Sequence, residues 1–107
     1  PIIAGAANNQ LDDEEGDGAL LEERGIIYAP DYVINAGGLI NVYAELKGLP
    51  SEKAMADAAS IFDTVKRIIN LARAEGITTT AASNRVAEAR IDAVARLRRL
   101  HLPDQVR

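Results

Sequence analysis

The nine residues Pro30-Asp31-Tyr32-Val33-Ile34-Asn35-Ala36-Gly37-Gly38 constrain the fold of this chain more than any other stretch. A short β-branched run ends in an asparagine, and two glycines follow closely. Leu39, Ile40, Val42 and Leu46 then recur at helical spacing, so the pattern reads as a strand running directly into a helix. Such a junction puts a polar amide and a helix N-terminus at the carboxyl edge of a sheet. In open α/β sheets ligands bind at that edge. Nearer the start, Ile2-Ile3-Ala4-Gly5-Ala6-Ala7-Asn8-Asn9-Gln10-Leu11 repeats the arrangement: an apolar strand, small residues, then asparagine.

The remaining elements follow from the same signals. Ile2 to Ala6 is expected to be a buried parallel strand. Asp12 to Gly18 is a polar, glycine-broken loop, with Asp17 as the cap of a short helix from Ala19 to Arg24 that Gly25 ends. Ile26 to Ala29 is the next strand, and Tyr32 to Ile34 continues it after a bend at Pro30. Parallel strands joined by a short helix make a βαβ unit. A helix from Ala36 to Leu46 stops at Gly48 and Pro50. A second runs from an N-capping Ser51 to Gly76 with Ala54, Ala58, Ile61, Val65, Ile68, Ile69 and Ala72 on one face. The third starts near Thr79, carries Ala82, Val86, Ala89, Ala93, Leu97 and Leu100 on its stripe, and pairs Asp92 with Arg96 outside. Fraying is expected from Pro103.

Composition narrows the function classes. At 107 residues the chain is at most one domain, burying about 60–65 per cent of its unfolded surface. Much of its 48% hydrophobic content is alanine, with one Phe and three Tyr, so the core is modest. Cysteine is absent, which excludes disulfides and thiolate metal sites. No apolar run is long enough to span a bilayer and no signal peptide precedes the first strand, so a cytoplasmic protein is the expectation. A net charge of −4 argues against nucleic acid. The acidic run from Asp12 to Glu23 and the arginines from Arg85 to Arg107 read as solvated faces.

Each candidate residue has a plain structural role beside a functional one. Asn8-Asn9 is a common turn pair after a strand. Asn35 serves as an N-cap for the following helix, and its amide can face the cleft as well. Gly37 and Gly38 remove side chains where ligand and backbone approach. Leu39 and Val42 stand one turn apart and can enter one pocket, or simply the core. Asp31 fits a turn role after Pro30, and His101, the single histidine, fits a surface position near a helix C-terminus. Gly16-Asp17-Gly18 lacks the spacing of a phosphate-binding turn.

The run from Ile3 to Leu11, the Gly25-Ile26-Ile27-Tyr28-Ala29-Pro30 step and the Asn35 junction resemble amino-acid dehydrogenases, the leucine, phenylalanine and valine enzymes more than the glutamate ones. Ser60-Ile61-Phe62-Asp63-Thr64 and Arg85-Val86-Ala87-Glu88-Ala89-Arg90-Ile91 extend the resemblance over about ninety residues, fading after Ala95. Family members are roughly three times longer, so the likeness is to their C-terminal third.

The resemblance implies an α/β fold: residues 1–48 would end a Rossmann-type NAD-binding βαβ unit, and 49–107 would form C-terminal helices of the same single fragment. It implies oxidative deamination of an apolar L-amino acid to a 2-oxo acid and ammonia, with NAD as cofactor, in a homo-oligomeric parent. Ala7 and Asn8 would lie against the nicotinamide ribose. Asn35 would meet both the nicotinamide carboxamide and the substrate carboxylate, and Leu39 with Val42 would line the side-chain pocket. The family's glycine-rich dinucleotide turn and its catalytic lysines and aspartate are absent. No catalytic residue and no metal ligand is therefore assigned in this segment, and by itself it is expected to be inactive. The alternatives are a free-standing helical interaction module or another Rossmann-type dehydrogenase, such as a 2-hydroxy-acid enzyme. The latter would place a histidine near the cofactor, and the only one here is His101.

Overall fold

A computed structural model describes residues 1–100, the side chains of residues 98–100 excepted. The expectations for His101, for the chain from Pro103 and for the Leu100 side chain lie outside the described residues. The elements are β1 (Ile2–Ile3), α1 (Glu14–Glu23), β2 (Ile27–Tyr28), α2 (Asp31–Ile34), α3 (Gly37–Leu46), α4 (Ser51–Ala59), α5 (Ile61–Glu75) and α6 (Thr79–Leu100). The fold is thus mostly helical around a small parallel sheet.

β1 and β2 pair in parallel, with Ile2 opposite Ile27 and Ile3 opposite Tyr28. A parallel pair needs a crossover, and α1 provides it. Ile3 and Tyr28 line a cavity shared with Leu20 and Leu21 of α1. Ile2, Ile27 and Ala29 face Phe62 and Val65 of α5. α1 and α6 thus pack against β2, while a cavity lies between the other side of the strands and α5. β1 is shorter than the expected Ile2–Ala6 and is not buried: Ile2 is 70% exposed.

Several boundaries differ from expectation for local chemical reasons. α1 begins five residues before Ala19, so Asp17 is inside it rather than its cap. From the first turn, Asp17 Oδ2 accepts the Asp12 and Asp13 amides, both at 3.0 Å. Glu14, Glu15 and Asp17 together suit the positive end of the helix dipole. Gly25 ends α1 at φ +66, as expected, and Gly76 ends α5 at φ +62. The long helix expected from Ser51 to Gly76 is two helices. The chain turns at Ser60, whose hydroxyl donates to the Asp57 carbonyl at 2.6 Å. Ser51 is the first helical residue of α4, with Pro50 before it, and makes no cap.

Tyr32 to Ile34 form helix α2, not a strand. Pro30 sets the entry, and its carbonyl accepts the Val33 and Ile34 amides at 3.0 and 3.2 Å. Asp31 sits in the first turn, where an acid is favoured, and its Oδ1 accepts the Tyr32 amide at 2.6 Å. These fixed contacts outweigh the weak β preference of Val33 and Ile34.

The core is formed by Ile68 and Ala72 of α5 and Ala82 of α6, with Val33, Leu71, Ile77 and Val86 packed against it. α6 is capped by Thr78, whose Oγ1 accepts the Ala81 amide at 3.1 Å. A Cβ on Gly18 would lie 2.9 Å from Thr80 Oγ1, so glycine there lets α1 approach α6 closely. Only the first half of the α6 stripe is covered. Ala89, Ala93 and Leu97 are exposed. Asp92 and Arg96 form no ion pair; among the described residues Lys53 pairs with Asp57 and Glu75 with Arg85.

Ile68 is 1% exposed, whereas Phe62 is 71% exposed. In the isolated chain Ile68→Val is expected to cost about 0.5–1.5 kcal/mol, and Phe62→Ala about 0.5 kcal/mol or less. Urea unfolding followed by circular dichroism checks the order. A larger loss for Phe62→Ala would move the core off the α5–α6 contact.

Candidate functional site

The site is built where the chain leaves the two parallel strands. After β1 the backbone passes through Gly5 and turns at Asn9, which takes the left-handed φ of 55°. Gln10 holds this turn closed: its Nε2 donates to the Gly5 carbonyl at 2.7 Å and to the Ala7 carbonyl at 2.9 Å. A Cβ on Gly5 would fall 2.8 Å from that nitrogen, so the clasp depends on glycine.

After β2 the chain enters α2 through the buried residues Tyr28, Ala29, Pro30 and Asp31. Asp31 is 7% exposed. Its Oδ2 accepts the Gln10 amide at 3.0 Å, so the two turns are tied together. A cavity of about 130 Å³ beside it is lined by Asn9, Leu11, Glu14, Tyr28, Tyr32 and Thr80 as well. Tyr28 Oη accepts the Asp31 amide at 3.4 Å, and Tyr32 Oη donates to Asn84 Oδ1 at 3.1 Å. Burial raises the pKa of both phenols above the usual 10.0, with the Asp31 charge adding to the effect.

The two turns bring Asn8 and Asn35 into contact: Asn35 Nδ2 donates to Asn8 Oδ1. Asn8 is exposed and Asn35 half-buried. One hydrogen bond uses only part of their capacity, since Asn8 has two further N–H donors and Asn35 an amide oxygen. Asn35 closes α2 as its C-cap and does not cap α3, whose N-cap position is Ala36. Ala7, on the same turn as Asn8, is exposed. Leu39 and Val42 lie on α3 at 74% and 50% exposure, so core packing does not account for them. A Cβ on Gly37 or Gly38 would meet nothing within 4 Å. Sequence reasoning passed over Gln10 and the burial of Asp31; the one hint was a polar residue directly after an asparagine pair.

Among the described residues, no group of three or more His, Cys, Asp or Glu side chains is placed to hold a metal ion. No helix there is long and apolar enough to cross a membrane.

A helical chain with two parallel strands, and paired amides beyond their carboxyl ends, fits the ligand-binding edge of an α/β enzyme. Comparison with known proteins narrows the class. No family model matches the chain. It is 53% identical over 91 residues to an L-tryptophan dehydrogenase of Nostoc punctiforme, covering 85% of this chain and 26% of that protein. It is 48% identical over 104 residues to a leucine dehydrogenase of Thermoactinomyces intermedius, covering 97% of this chain and 28% of the relative. A phenylalanine dehydrogenase of the same organism is 46% identical over 102 residues. The crystal structure of L-tryptophan dehydrogenase from Nostoc punctiforme superposes with a TM-score of 0.84 over 89% of this chain and 28% of that one, at 52% identity. The chain is homologous to the amino-acid dehydrogenases and matches a segment of them. It spans about a quarter of the length of these relatives, less than the expected third.

Because burial favours the protonated phenols, the fold gains stability from Tyr28 and Tyr32 that is complete below the unfolded value near 10.0 and is lost as pH climbs through their raised values. The urea midpoint is expected to fall between pH 9 and pH 11, and Tyr28→Phe to flatten that fall. A pH-independent midpoint over this range would contradict the burial of the Tyr28 ring.

Proposed function

We propose that this chain forms one wall of the cleft of an NAD-dependent L-amino-acid dehydrogenase, which oxidatively deaminates apolar amino acids to 2-oxo acids and ammonia. The observation that carries the proposal is the Asn8–Asn35 amide pair beyond the carboxyl ends of two parallel strands, in a chain homologous to such enzymes. In this reading residues 1–48 end a Rossmann-type unit and 49–107 supply C-terminal helices. A cytoplasmic, homo-oligomeric parent follows from the family resemblance.

The residues fit the cofactor chemically. NAD would supply a hydride acceptor when bound. The free N–H groups of Asn8 suit ribose hydroxyls, and small residues at Ala6 and Ala7 let a ligand approach the backbone. Asn35, held through its own amide group, keeps an oxygen for a carboxamide and shares the site with the substrate carboxylate. Leu39 and Val42 offer exposed apolar surface on the next helix, which suits an apolar side chain. A glutamate side chain there would need a cation or hydrogen bonds to offset burial. The exposed Ile2, Phe62, Leu46 and Leu97 fit a segment that the rest of a longer enzyme covers.

In the full-length enzyme Asn35→Ala is expected to lower kcat/KM by about 1.5–3 kcal/mol, the usual worth of a hydrogen bond to a charged group, with little change in thermal midpoint. An effect below twofold would leave Asn35 a helix cap and nothing more.

The substrate class is tested by comparing kcat/KM for leucine, valine, phenylalanine, tryptophan and glutamate. An apolar amino acid is expected to be preferred. One methylene is worth only about 1–3 kcal/mol, so neighbouring aliphatics should differ modestly. Glutamate as the best substrate would refute the pocket assignment.

A further inference from the structure

The Asn8–Asn35 contact joins two turns that belong to different parts of the chain, and something must hold them in register. Asn9 sits at a strained left-handed φ of 55° immediately after Asn8. The next residue is anchored from two sides. The Gln10 side chain grips the Gly5 and Ala7 carbonyls, while the Gln10 amide donates to Asp31 Oδ2 at 3.0 Å. The first grip acts within the turn. The second is the cross-link, because Asp31 begins α2, the helix that Asn35 closes.

Asp31 is bound to the far turn by its side chain and to Asn35 by its backbone. Its Oδ1 accepts the Tyr32 amide at 2.6 Å, and its carbonyl accepts the Asn35 amide at 2.9 Å. Only 7% of the residue is exposed, so water does not readily replace the Gln10 bond if it is lost. Two oxygens, each with its own N–H donor, fix the carboxyl group's orientation. That orientation in turn fixes where the turn carrying Asn8 stands relative to α2.

We propose that Asp31 is a positioning residue: it sets Asn8 against Asn35, and so pre-organises the amide pair for the cofactor. The consequence for NAD rests on the reading of that pair given above, whereas the positioning role itself does not. Asp31→Asn tests it, since the substituted amide keeps one oxygen and turns an NH2 group toward one of the two backbone donors.

Two measurements on the full-length enzyme decide the matter. The first is hydrogen exchange of the Gln10 amide against that of Ala29, which donates to the Ile3 carbonyl in the strand pair. In Asp31→Asn, Gln10 is expected to exchange about tenfold faster or more, with Ala29 unchanged within twofold. Unchanged exchange at Gln10, or equal acceleration at both, overturns the proposal; the latter would make Asp31 a general support of the fold. Should Asp31→Asn not fold, Asp31→Ser keeps an acceptor for the Tyr32 amide, loses the reach to Gln10, and reads the same comparison.

The second measurement is the NAD dissociation constant in a cycle of Asp31→Asn with Asn8→Ala. Each single change is expected to weaken binding about tenfold, and Asp31→Asn to add less than twofold once Asn8 is alanine. Full additivity overturns the route through Asn8. If Asn8→Ala leaves NAD affinity unchanged, the cofactor reading of the amide pair fails, and the exchange comparison alone decides the role of Asp31.

Discussion

Everything in the amino-terminal half depends on the parallel pairing of two strands of two residues each. The Ile27 and Ala29 amides donate to the Pro1 and Ile3 carbonyls at 3.0 and 2.9 Å, a register too short to hold itself. Helices hold it. α1 and α6 pack against β2, a cavity separates Ile2 and Ile27 from α5, and α1 is brought against α6 by the missing side chain of Gly18. The core at Ile68, Ala72 and Ala82 is therefore also what keeps the strand ends, and the turns beyond them, in place. The amide pair inherits its geometry from packing that lies elsewhere in the chain.

Much of this plan was legible in the sequence because it rests on local rules. Gly25 and Gly76 mark helix ends through a left-handed φ that few other residues adopt. The periodic stripe of α5 names its buried residues, Ile68 and Ala72. The failures share one cause: short elements are decided by contacts that propensity does not encode. Val33 and Ile34 favour a strand, yet Pro30 and Asp31 start a helix around them. Ser60 favours nothing in particular, yet a bond to the Asp57 carbonyl accompanies a break between α4 and α5. Asp17 was expected to cap a helix from outside and instead reaches back from within it.

The candidate site was legible in a different way. Asn8 and Asn35 stand out as asparagines after apolar runs, and their side chains meet. The junction that drew attention to Asn35, a strand passing straight into a helix, is not how the chain runs: a buried proline and a one-turn helix intervene. The amide still emerges beyond the carboxyl end of β2, because α2 is only four residues long and turns the chain without carrying it away. Leu39 and Val42 could have been core residues by pattern alone. Their exposure places them outside the core of this segment, which periodicity alone does not do.

The groups near the amide pair also bear on the role proposed for it. A proton-transfer role needs a side chain that titrates near the working pH and has a free lone pair or proton to offer. Asp31 is buried, and each of its oxygens is held by a backbone N–H group. The phenols of Tyr28 and Tyr32 are pushed upward by burial, so they stay protonated at neutral pH. What remains at the pair is amide chemistry, which donates and accepts hydrogen bonds without changing charge. Such groups are suited to orienting a ligand rather than to exchanging protons with it. In the proposed reading, such groups would contribute to rate by fixing the relative position of two bound molecules, an effect sensitive to small displacements. That sensitivity gives weight to Asp31, whose buried carboxyl group ties the turn carrying Asn8 to the helix that Asn35 closes.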